Sequence, residues 1–213
     1  MAQPSPLNDI DYASLLCSRL CHDLLSPVGA IGNGFELLAD EDDADMRREY
    51  LDLIEQSART SADKLKFFRL AFGGGGSFGD TIPVREVREA VDALAAPKVA
   101  MRWAVDGDVL SRVGAKALLN LALVALEALV RGGTLELTVE GDEGEQLALR
   151  AIGPRVMLDA TIVAALEGTL PAADLSSRTA PAWMTRVLIE RTGGALSIAA
   201  TADALALEAD LPR

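Results

Sequence analysis

A single histidine serves the whole 213-residue chain. Any imidazole chemistry therefore happens at His22 or nowhere. Cysteine is nearly as scarce, with only Cys17 and Cys21. They sit beside His22 on one predicted helix, but a stable zinc site wants four ligands, usually as separated pairs. No other Cys or His exists to complete such a set, so no metal site is expected and the thiols are expected to be reduced and buried. Positive charge is also short: 20 Lys and Arg face 32 Asp and Glu, for a net charge of -12. That balance argues against nucleic acid, which calls for a basic footprint, and against an anionic membrane surface. No apolar run approaches the roughly 18 residues of a membrane span. Met1–Asp11 lacks the basic and apolar regions of a signal peptide. The chain reads as cytoplasmic.

What the chain does have is apolar residues, 50% of the total. That suffices for a sizeable core without disulfides, and the length allows one large domain or two small ones. The run Gly73-Gly74-Gly75-Gly76 is the clearest linker, because consecutive glycines propagate neither helix nor strand well. It predicts two units, 1–76 and 77–213. In the first, a helix starts near Asn8–Asp11 and runs to about Ala39, before the acidic turn Asp40–Asp43. That turn lacks the alternation and glycine of a calcium loop and is expected to be a solvated loop. Leu16, Leu20, Leu24, Ile31, Phe35 and Leu38 cluster within roughly ±60° of one direction at about 100° per residue. His22 then points about 180° away from them. Ser18, Ser26, Gly29 and Asn33 share its side, so the imidazole is expected in water among small side chains. Pro27 removes a backbone donor and should kink the helix just after the site. A second helix, about Ala44 to Phe72, repeats Leu51, Ile54, Ala58, Ser61, Leu65, Phe68 and Phe72 at spacings of three and four, a coiled-coil seam. One antiparallel hairpin buries a single seam. Pairing two hairpins into a four-helix bundle covers the rest, which predicts a homodimer; the alternative is a hairpin folded back on its own second unit.

The second unit reads α-β-α-β-β-α-α-β-β. Helices are predicted at Val84 to Pro97, Ala117 to Val130, Ala160–Glu167 and Pro181–Arg191. Alternating strands are predicted around Met101–Val105, Thr134–Glu140, Gln146–Ile152, Leu196–Ala200 and Leu205–Leu211. Ala117 to Val130 is too apolar for a surface helix. Helices mixed with hairpin strands suggest an α+β sandwich, one helical layer on one sheet.

The stretch Cys21-His22-Asp23-Leu24-Leu25-Ser26-Pro27 resembles the H-box of two-component signalling proteins, whose histidine carries a phosphoryl group. The order of elements after it resembles the ATP-binding domain of histidine kinases, a likeness that spans nearly the whole chain. The fold class expected is thus α+β, a helical hairpin followed by a degenerate kinase-like sandwich. The nucleotide boxes depart from the kinase pattern. The magnesium-binding Asn of that family falls at Val124, which has no oxygen for a hard cation. The adenine-reading Asp falls at Ala151, and the last Gly of the same box at Arg155. The phosphate lid matches Arg178-Thr179-Ala180-Pro181-Ala182-Trp183, which lacks Gly, and Pro181 has no N–H to offer a phosphate. The phosphate carrier is kept and the donor site is lost.

That combination, carried most specifically by Leu16–Ile31, is similar to the dimeric histidine phosphotransferases of bacterial cell-cycle relays. The resemblance implies that His22 is the phosphoacceptor and that no nucleotide or metal is bound by this chain, Mg²⁺ coming with the partner. It implies partners too: the receiver domain of a hybrid histidine kinase (CckA-like) and response regulators (CtrA-like and CpdR-like). Around His22, Asp23 could fix the ring tautomer through the other nitrogen. Arg19, one turn earlier, could guide an anionic group. Ser26, Gly29 and Asn33 are expected to leave room for a receiver's loops. Two other readings remain at this point, a divergent ATP-dependent histidine kinase and a non-catalytic adaptor that docks receivers.

Overall fold

The computed structural model describes residues 9–74 and 80–212. The expected cap at Asn8, the glycines Gly75 and Gly76, and the boundary between 76 and 77 lie outside them. Helix α1 (Asp9–Ala39) and helix α2 (Ala44–Phe72) form the antiparallel hairpin. The turn between them is more than a solvated loop. Asp43 caps α2, its carboxylate accepting from the backbone N–H groups of Asp45 and Met46, which satisfies donors that have no partner within the helix. The hairpin is tight at Gly34, where an added Cβ would come within 2.6 Å of Ile54 Cγ1.

Strand β1 (Thr81–Pro83) leads into α3 (Val84–Leu94) and β2 (Val99–Val105). Strand β3 (Val109–Ser111) precedes α4 (Arg112–Ala128), followed by β4 (Gly133–Glu140), β5 (Gln146–Ile152), α5 (Ala160–Glu167), α6 (Ala180–Arg191), β6 (Ala195–Ala200) and β7 (Ala204–Asp210). The main sheet runs β2-β4-β5-β7-β6, parallel between β2 and β4 and antiparallel elsewhere. The unforeseen β1 and β3 pair antiparallel in a small separate sheet. Three residues each are too few for an alternation to register in the sequence.

Alternation along the main sheet sends Leu135, Leu137, Val139, Leu147, Leu149, Ala151, Leu205 and Leu207 into one layer. Helix α4 lies there and is buried along almost its whole length, which accounts for its apolar composition. The same core continues into the hairpin. Phe67, Phe68, Leu70 and Ala71 of α2 are buried with α3 and α4 residues in one cluster. Three polar ties accompany that packing. Tyr12 Oη donates to the Ala180 carbonyl at 2.8 Å, Lys116 Nζ donates to the Gly73 carbonyl at 2.7 Å, and Arg19 pairs with Glu127. Burial pushes the Tyr12 phenol well above its ordinary range. No helix among the described residues is long and apolar enough to cross a membrane.

The apolar stripe predicted for α1 divides in two. Leu16, Leu20, Leu24, Ile31 and Leu38 are half-buried, while Phe35 stays 57% exposed. The side chains that α1 buries are instead Arg19 and Pro27. On α2, Ile54, Ser61 and Phe68 turn inward, whereas Leu51, Ala58 and Leu65 are exposed. A two-helix layer covers one seam only, and each helix carries a second. Cys17 and Cys21 lie on the uncovered α1 side and are exposed, which corrects the expectation of buried thiols.

Candidate functional site

The geometry at His22 begins with Pro27. A proline lacks the N–H that would bond to the carbonyl four residues earlier, here that of Asp23. Helix α1 runs through Pro27 without interruption, and the Asp23 carbonyl takes its bond from α2 instead, from Lys64 Nζ at 2.8 Å. Asp23 is thereby held at its backbone by one cation. Its side chain is held by another, since Arg19 Nε donates to Asp23 Oδ2 at 2.8 Å. The other carboxylate oxygen, Oδ1, lies 3.1 Å from His22 Nδ1. An ionised carboxylate only accepts hydrogen bonds, so this contact is a hydrogen bond in the tautomer that carries its proton on Nδ1 and its lone pair on Nε2. The His22 side chain is 81% exposed and that of Asp23 only 16%.

Arg19 is where expectation and structure part. It was expected on the surface, ready for an incoming anion. Its side chain is 9% exposed and bridges Asp23 to Glu127 of α4. Burial alone would lower the pKa of this guanidinium, but Glu127 first and Asp23 second raise it on balance. The reason for the difference is packing: residue 19 is three positions from His22 but rotated toward the second layer, where a charge requires partners. Ser26, Gly29 and Asn33 are exposed, as the helical wheel implied, and an added Cβ at Gly29 would meet nothing within 4 Å.

The second unit completes the site. A shallow cavity of about 400 Å³ is lined by Arg19, His22, Asp23, Glu127, Ser177 and Arg178. Arg178 comes from the segment just before α6 and pairs with Asp159 at 3.2 Å. Sequence reasoning did not single out Lys64, Glu127, Ser177 or Arg178 as site residues. Glu127 did carry a signal: it is the sole acid in the mostly apolar Arg112–Ala128 segment, and an acid on such a helix asks for a paired cation.

Beside Val124, the space lined by Glu127, Met157, Asp159, Ile162 and Arg178 measures about 20 Å³. Pockets for small ligands typically measure roughly 300–1,000 Å³. Ala151 is fully buried in β5, and the stretch matching a lid runs from Arg178 into the first turn of α6, with Pro181 inside that turn. No group of three or more potential metal ligands occurs among the described residues.

Residues 84–204 match the model of the histidine phosphotransferase C-terminal domain. Over 212 residues, the chain is 34% identical to the protein phosphotransferase ChpT of Brucella abortus (strain 2308), covering 99% of this chain and 100% of that one. A bacterial phosphotransferase structure superposes with a TM-score of 0.83 at 30% identity, covering 98% of this chain and 100% of that one. The chain belongs to the histidine phosphotransferase family. It is therefore a phosphotransferase of α+β fold, with the helical hairpin and mixed sheet described above. In the hairpin of this phosphotransferase, the imidazole of His22 faces solvent beside the Asp23 carboxylate.

Proposed function

We propose that this phosphotransferase relays a phosphoryl group between receiver-domain aspartates through His22. The observation that carries the reading is the pairing of a half-buried, doubly anchored Asp23 with an exposed His22 at 3.1 Å. Nε2 attacks the phosphorus of an aspartyl phosphate, the N–P bond forms, and the P–O bond to the partner's carboxylate breaks. Nδ1 keeps its proton, shared with Asp23, which balances positive charge on the phosphorylated ring. The reverse sequence hands the group to a second receiver. Such transfers pass through a loose transition state, where positioning and charge neutralisation matter most. The receiver supplies the aspartate and Mg²⁺; Arg178, 63% exposed on the cavity wall, faces the incoming anionic group. Ser26, Gly29 and Asn33 form the open side of α1 on which the receiver's loops rest.

The donor and acceptors are, on this reading, the receiver of a hybrid histidine kinase and response regulators. ATP is not a substrate, a view supported by the small size of the space beside Val124, about 20 Å³. Each hairpin pairs with that of a second copy. Ile10, Val28 and Phe35 on α1, with Leu51 and Leu65 on α2, leave 48% or more of their surface uncovered in the single chain, which supports a four-helix bundle.

The test is incubation with a phosphorylated receiver. Wild type should acquire acid-labile phosphate at His22, His22→Ala should acquire none, and ATP alone should label neither. Undiminished transfer by His22→Ala overturns the proposal.

A further inference from the structure

Arg19 joins the two units at one point. Its Nε holds Asp23 Oδ2, while its Nη2 reaches Glu127 Oε1 at the end of α4. The planar guanidinium fork makes both contacts from one rigid group, which a lysine could not. Asp23 then has one oxygen committed to Arg19 and one facing His22 Nδ1. Asp23 follows His22 on a helix, so its carboxylate has other rotamers that point away from the ring. The Arg19 contact, made from a guanidinium that also pairs with Glu127, favours the rotamer that meets Nδ1.

We infer that Arg19 and Glu127 are positioning residues: through Asp23 they hold His22 in the tautomer with Nε2 unprotonated, so that the second unit aims the nucleophile it does not touch. This gives α4 a part in the chemistry that needs no nucleotide. The inference rests on His22 as phosphoacceptor. It assigns Arg19 a role unlike phosphate guidance, since its donors are turned to carboxylates and its side chain is buried.

The sole histidine makes the test clean, because its two ring nitrogens give the only imidazole ¹⁵N signals. In wild type, the neutral ring should show its proton on Nδ1. Arg19→Met should move the population toward Nε2–H and slow transfer from a phosphorylated receiver by roughly ten- to hundred-fold. Glu127→Gln, at a side chain 38% exposed, should shift both readouts in the same direction by less. Arg19→Lys should fall between wild type and Arg19→Met. Circular dichroism checks folding, and Glu127→Gln keeps the test decisive if the buried arginine variants unfold. Wild-type ring signals and rates in Glu127→Gln and in every folded Arg19 variant overturn the positioning role while the relay stands. A wild-type chain that takes no label from any receiver removes the relay and this inference together.

Discussion

At His22 the quantity that matters is which ring nitrogen is free, and on the proposed reading that depends on Asp23, which meets the ring, and on side chains behind it that do not. Asp23 sets the tautomer; Arg19 sets the Asp23 carboxylate; Lys64 occupies the carbonyl that Pro27 leaves without a helical donor. The last link predicts a mutational coupling. Lys64→Met should destabilise the fold by about 1–2 kcal/mol in urea melts, because a part-buried carbonyl loses its charged donor. In a Pro27→Ala background, where residue 27 regains an N–H for the same carbonyl, most of that cost should disappear. Equal costs in both backgrounds would show that Lys64 acts through some other contact.

Helix ends govern the next scale. Helix α5 starts at Asp159, whose carboxylate accepts from the backbone N–H and the hydroxyl of Thr161. The backbone N–H of Thr161, then its hydroxyl, hold this carboxyl below the usual carboxylate range, with Arg178 adding to the effect. A carboxyl whose folded pKa is depressed stabilises the fold above its unfolded value, about 3.9 for Asp. That contribution is lost as pH falls through the depressed folded value. Asp159→Ala should therefore lower the thermal midpoint at neutral pH, and the gap to wild type should narrow as pH drops below the ordinary carboxylate range. A gap that persists unchanged in acid would place the effect elsewhere. Because Asp159 also pairs with Arg178 on the wall of the His22 cavity, the variant links α5 capping to the site.

For the molecule as a whole, the hairpin faces two ways. The end of α2 is buried in the core with α3 and α4, while Val28, Phe35, Leu51 and Leu65 form an uncovered apolar side. Charge introduced there should separate two copies without unfolding one. Leu51→Glu combined with Phe35→Glu is expected to change the mass in light scattering from two chains to one and to leave the circular dichroism spectrum in place. A wild-type protein that already scatters as a single chain would rule out the paired hairpins.

Elements with a strong period were legible before any coordinates. Helix α2 and strand β5 run over the ranges the apolar spacing predicts, and α1 matches over its described part. Local composition also placed His22 in water, since a helical wheel needs only the sequence and the 3.6-residue turn. That Val124, Ala151 and Pro181 stand where the histidine-kinase pattern has its nucleotide residues is an expectation the resemblance carries. The surroundings of His22 were not legible. Arg19, Lys64, Glu127 and Arg178 come from different elements, and their meeting depends on how the hairpin docks against α4 and α6. Periodicity tells which face of a helix is apolar, but not which of two apolar faces a neighbour covers; that is why Phe35 and both cysteines came out exposed and Arg19 buried. The chain's own order settled that there is one imidazole, which way it faces and that Asp23 stands next to it, while only the packing of distant segments, through Arg19, Glu127 and Lys64, decided what holds Asp23 there.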